Sequence, residues 1–164
     1  MNGKRILVPV NLERNSFDSL EFVAALAREM PVCATLLHVV EVNIFALDSR
    51  LYDGLCHESE RRLRTIAKTF FGNEMPDIQV RVGRPHEQIL AETEAAQPEL
   101  IVLASSKSGR RKWRLLPTTV ERVVRNAPCL TLVLPRTWKI SPEQFRQAMR
   151  SSATATRNHE FACQ

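Results

Sequence analysis

The sequence predicts an α/β domain built on a doubly wound, five-stranded parallel sheet with helices on both faces. Three observations lead there. Short apolar runs alternate with longer segments whose apolar residues recur at helical spacing, in the order β-α-β-α-β-α-β-α-β. The runs are apolar on both faces, as strands buried between two helix layers must be. Prolines and glycines mark the changeovers, at Pro31, Gly83, Pro85 and Pro135. Strict alternation of this kind fits a parallel sheet, because each parallel crossover needs a helix-length connection.

Each element has its own signal. Ile6 to Val10 is a continuous apolar strand with Pro9 near its end and Asn11 directly after it. Ser16 offers a helix cap. From Phe17 to Met30 the residues Phe17, Leu20, Ala24 and Ala27 repeat at helical spacing, and Val23, Leu26 and Met30 widen the stripe. Pro31 stops that helix. The run Val32 to Val40 makes the second strand. A long helix is expected from about Leu51 to Phe71, with Leu63, Ile66, Ala67 and Phe70 inward and Glu58, Glu60, Arg61, Arg62 and Arg64 largely in water. Ile78 to Val82 is the third strand. Gly83 and Pro85 turn the chain into a helix over about His86 to Ala96, with Ile89, Leu90 and Thr93 on one side. Leu100 to Ala104 is the fourth strand. The polar loop SSKSGRRKWR leads to a helix from Thr118 to Asn126, whose inner face is Val120, Val123, Val124 and Ala127. Leu130 to Leu134 is the last strand.

The chain has 164 residues, 44% of them hydrophobic, which suits one domain with one sizeable core. Residues 1–136 are expected to form that domain. Residues 137–164 are expected to be a tail, with a short helix capped at Ser141-Pro142-Glu143 and a disordered end. The formal net charge of +5 is mild, and the basic residues are scattered apart from Arg110, Arg111, Lys112 and Arg114. Trp113 within that cluster is one aromatic, where single-strand recognition combines several, so nucleic acid is not an expected partner. No run approaches the length that crosses a bilayer. The opening MNGKRILVPV has too short an apolar stretch for a secretory signal. The expected compartment is the cytoplasm, with reduced thiols. Cys33 and Cys129 read as small buried hydrophobes, and Cys56 and Cys163 as the more accessible pair.

Several segments together resemble the universal stress protein family. They are the opening RILVPV, the LHVV of the second strand, the turn-and-helix VGRPHEQIL, and the stretch from Leu100 to Pro135, LIVLASSKSGRRKWRLLPTTVERVVRNAPCLTLVLP. The resemblance spans roughly Lys4 to Pro135. It implies strand order 3-2-1-4-5, which the residues alone leave open, and so a switch point between strands one and four. Ligands of doubly wound sheets sit there, beyond the carboxyl ends of the strands.

Nucleotide-binding members of that family carry a Gly-x2-Gly-x9-Gly-Ser/Thr loop at this place. Matched from the LLPTTVERV end, this chain has Ala104, Lys107 and Pro117 at the three glycine positions and Thr118 at the hydroxyl position. The family's ATP-binding members usually have Asp after the first strand, where this chain has Asn11. Ala104 adds a methyl group. Lys107 adds bulk and a cation. Pro117 removes a backbone donor. The resemblance thus gives a candidate nucleotide pocket of Asn11, Val40, Ala104, Ser105, Lys107, Thr118 and Thr119. Ser105, Ser106 and Ser108 add hydroxyls, and the two threonines open a helix whose N-terminus favours anions. The plain alternative is a solvated basic loop with helix-capping threonines. The resemblance also implies a homodimer through the last strand, with Leu130, Leu132, Val133 and Leu134 at the matching positions.

No residue is assigned a catalytic role, and no metal site is expected. His38 inside its strand reads as a satisfied core histidine. His86 reads as a helix-entry residue near the ligand end of the sheet. The expected function is a non-enzymatic stress-response protein that acts as a homodimer or through a protein partner, with no cofactor. The alternative is a nucleotide-binding regulator that takes ATP with Mg²⁺, or another adenine nucleotide, on a remodelled phosphate loop, with at most slow hydrolysis.

Overall fold

The computed structural model describes residues 3–13, 17–41, 49–105 and 118–135. Nine elements alternate along them: β1 (Lys4–Pro9), α1 (Asp18–Glu29), β2 (Val32–Val40), α2 (Ser49–Phe71), β3 (Asp77–Val82), α3 (Pro85–Ala96), β4 (Leu100–Ala104), α4 (Thr119–Asn126) and β5 (Leu130–Leu134). The five strands form one sheet in the order β3-β2-β1-β4-β5. Every pairing is parallel, with Ile6 opposite both Ala34 and Leu100, His38 opposite Val80, and Ala104 opposite Leu134. The expected architecture and strand order are both present.

Strand alternation sorts the core into two layers. Ile6, Val8, Leu36 and Val102 meet Leu20, Val23 and Leu26 of α1 and Leu63 and Ala67 of α2 on one face. Leu7, Leu37, Val39, Ile101 and Leu103 meet Ile89 of α3 and Val123 of α4 on the other. One sheet therefore carries two apolar layers.

The helices form and stop for local reasons. On α2, Arg61 pairs with Glu58 and Arg64 with Glu60 along the outer face. Gly72, at φ +63°, closes α2 by donating its N–H to the Lys68 carbonyl. Pro85 opens α3, where a missing N–H costs nothing. The Glu92 carboxylate of α3 is buried and pairs with Arg81 of β3. Thr118 caps α4 in a reciprocal box: its hydroxyl accepts from the Glu121 N–H at 3.1 Å, and its own N–H donates to the Glu121 carboxylate at 2.5 Å.

Several expectations need correction. β1 starts at Lys4, because Lys4 and Arg5 join the ladder opposite Val32 and Cys33 while their side chains stay exposed. The apolar pattern marks only the covered part of a strand. The N-cap of α1 is Phe17 with no side-chain cap bond, and the expected cap Ser16 lies outside the described residues. Val124, expected inward, is 49% exposed, since an eight-residue helix packed chiefly against α3 buries a narrow stripe around Val123. Cys33 is exposed near the amino end of β2, whereas Cys129, just before β5, is half-buried against the core layer of Ile89 and Val123.

Candidate functional site

The carboxyl ends of β1 and β4 lie side by side at the switch point, and the chain leaves each toward a different face. The segment after β1 is unusually well held for a loop. Val10 donates its N–H to Leu37 at 2.8 Å, and both Val10 and Leu12 are buried. Asn11 stands exposed between them. Its Oδ1 accepts the Glu13 N–H at 2.9 Å, a side-chain-closed turn that the Asn type supplies.

Two side chains hold the same segment from the α1/α2 side. The His38 Nδ1–H donates to the Val10 carbonyl at 2.9 Å, and the Arg62 guanidinium donates to the Leu12 carbonyl at 3.0 Å. Burial is the main force on His38 and pushes its titration below the ordinary imidazole value. The Val10 bond opposes that shift, the Arg62 charge adds to it, and Glu13 opposes it. His38 is thus the satisfied core histidine expected. Arg62 is not merely a water-facing helix residue.

Val40 ends β2 half-buried, and its carbonyl accepts the Gly83 N–H at 3.0 Å. Gly83 has φ +144°, and a Cβ there would meet the Gln88 amide nitrogen at 2.9 Å. Only glycine suits that turn. On the β4 side, Ala104 is half-buried and Ser105 exposed, and the Ser105 N–H donates to Leu134 at 2.8 Å. Thr118 and Thr119 are half-buried at the head of α4, with the Thr118 hydroxyl oxygen engaged in the cap. His86, in the first turn of α3, accepts from the Arg122 guanidinium of α4 at 3.2 Å, joining the heads of the two helices on that face.

Of the candidate pocket residues, Asn11, Val40, Ala104, Ser105, Thr118 and Thr119 all lie at this end of the sheet. Lys107 and Pro117 lie outside the described residues, as do Ser106, Ser108, the basic cluster 110–114 and the tail 137–164. Among the described residues no three His, Cys, Asp or Glu side chains come together as metal ligands, and no helix is long and apolar enough to cross a membrane. The Cys56 thiol is pushed up by burial and then by Asp53, the direction opposite to an activated thiolate.

Sequence reasoning missed the roles of Arg62, Gln88 and Arg122. Arg62 and Arg122 act on residues distant in the chain, Leu12 and His86, so no local pattern announces them. The VGRP turn was the one available hint for Gln88, since a glycine before a helix-opening proline marks backbone that a neighbour approaches closely.

The parallel order with its crevice between β1 and β4 defines a doubly wound, Rossmann-like domain. A profile described as the universal stress protein family matches residues 3–135, and the chain belongs to that family. No curated protein matches it. Among solved structures, the hypothetical protein MJ0577 is similar at TM-score 0.66 and 23% identity, over 83% of this chain and 98% of that one. A universal stress protein in complex with cAMP is similar at TM-score 0.59 and 13% identity, over 82% and 98%. A family protein from Arabidopsis thaliana with AMP bound is similar at TM-score 0.52 and 19% identity, over 82% and 92%.

Proposed function

We propose that this protein is a nucleotide-binding regulator of the universal stress protein type, taking an adenine nucleotide at the β1/β4 switch point on a remodelled phosphate loop. Asn11, Val40, Ala104, Ser105, Lys107, Thr118 and Thr119 are its proposed contacts. Catalysis is at most a slow hydrolysis, and Mg²⁺ would arrive with a triphosphate. Of the two readings weighed from the sequence, this one has the better support. The observation that carries it is the side-chain-clamped loop at Asn11, at the same carboxyl end of the sheet as the capped head of α4 and in the usual ligand position of the fold. Two family members of the same fold were solved with cAMP and AMP.

Calorimetric titration of nucleotide-stripped protein with ATP and Mg²⁺, AMP and cAMP tests it. Micromolar binding that weakens in Asn11→Ala and Ser105→Ala supports the reading. No heat at millimolar nucleotide rejects it.

A second reading keeps the homodimer without nucleotide. It rests on the loss of all three loop glycines, on the edge position of β5, and on Leu130 at 60% exposure. In it, residues 1–136 act as the domain and pair through Leu130, Leu132, Val133 and Leu134, with a protein partner as the output. The two readings are compatible if the dimer carries the nucleotide.

A further inference from the structure

We propose that His38 and Arg62 are positioning residues of the switch-point pocket, fixing the two carbonyls that flank Asn11 so that its amide nitrogen is the group offered to a ligand. This rests on the nucleotide reading above and adds how the pocket is set.

The geometry is a three-point clamp. His38 of β2 takes the Val10 carbonyl, and Arg62 of α2 takes the Leu12 carbonyl. Asn11 lies between these two peptides, and its Oδ1 is already held by the Glu13 N–H. Val10 and Leu12 point their side chains into the core, which leaves Asn11 outward. With Oδ1 engaged, Nδ2 makes no hydrogen bond among the described residues and has both of its hydrogens to offer a ligand. A bound group at Asn11 is therefore read as an acceptor, such as a ring nitrogen or an ester or phosphate oxygen.

The clamp adds polar ties between α2, β2 and the segment after β1, which already share one core layer. Arg62 is one position before Leu63, the wholly buried anchor of α2, so a shift of α2 would carry the Leu12 carbonyl with it. The charged groups around His38 are Arg62 and Glu13, both part of the same network. Three donors, from His38, Arg62 and the Glu13 N–H, thus converge on acceptors of three consecutive residues, Val10, Asn11 and Leu12.

The test uses the full chain and two readouts. Amide hydrogen exchange at Glu13 reports the loop, and calorimetric titration with cAMP and AMP reports the pocket. In Arg62→Met, Glu13 exchange should rise about tenfold while exchange in the middle of β1 stays unchanged, and nucleotide affinity should fall about tenfold. Arg62→Lys should recover part of both. His38→Asn, which can keep a donor near the Nδ1 position, should disturb the loop less than His38→Leu. If His38→Leu fails to fold, the Arg62 pair still decides. Unchanged Glu13 exchange in Arg62→Met overturns the clamp. Faster exchange with unchanged nucleotide affinity overturns its role in the pocket. If the wild-type protein binds neither nucleotide, the nucleotide reading falls, and the exchange result alone rules on the clamp.

Discussion

Thr118 shows how one side chain can serve a helix and a site at once. Its hydroxyl oxygen accepts from Glu121 to cap α4, which leaves its hydrogen to donate outward. Removing the hydroxyl in Thr118→Ala should lower stability by about 1 kcal/mol in urea unfolding, and Thr118→Ser should restore most of it. His38 supplies a second prediction at this scale. Its folded-state titration is pushed down by burial, so the unfolded chain binds the proton more readily. The stabilising contribution is complete above the ordinary value of 6.5 and is lost as pH falls from there through the depressed folded value. Urea midpoints measured from about pH 7.5 to about pH 5.5 should fall with acid, and His38→Asn should flatten that slope.

At the scale of elements, α3 is held by a thin apolar anchor. Ile89 is its one buried large hydrophobe, and the buried Glu92 pairs with the half-exposed Arg81. Arg81→Met should cost on the order of 2 kcal/mol, because it strands a buried carboxylate, and Arg81→Met with Glu92→Leu should recover most of the loss. The Gly83 turn that feeds α3 is constrained twice. Gly83→Ala should destabilise by more than about 1 kcal/mol through its positive φ and its clash with Gln88, and adding Gln88→Ala should relieve only the clash. These elements also show what the sequence could reveal. The extents of β2, β4 and β5 were legible to the residue, because each is a mostly apolar run with polar residues or proline close by at both ends. The Thr118 cap was legible because capping is local. Val124 was not, since a short helix carries too few residues to fix the width of its buried stripe. The clamp on Asn11 was not, since Arg62 reads as one more charge on the outer face of an amphipathic helix until the packing of α2 on β2 and β3 brings it to the Leu12 carbonyl.

For the whole molecule, the sheet ends in two unequal edges. β3 alternates Asp77, Gln79 and Arg81 with apolar residues, which blunts an edge against further pairing. β5 has only Thr131 among apolar residues, and Leu130 is largely exposed. If β5 is where two copies meet, Leu130→Glu should leave monomer stability within about 0.5 kcal/mol, while sedimentation shows the dimer dissociating. A dimer that survives this change together with Leu132→Glu would move the interface elsewhere.

The position of β1 has a further consequence, for how the chain is made. Of the five strands of this sheet, the one synthesised first ends up as the central one, flanked by β2 on one side and β4 on the other. Its β2 side can close early, but its other side finds Leu100 and Ile101 only after some ninety intervening residues have been synthesised. Until then the nascent chain holds an open seam through its middle rather than a finished edge, with unpaired backbone groups beside Ile6 and Leu7. Long-range pairing of this sort is slow to form and leaves partly folded chains open to aggregation. Completion of the seam by β4 is therefore the step at which the newborn domain passes from a sticky half-sheet to a closed one.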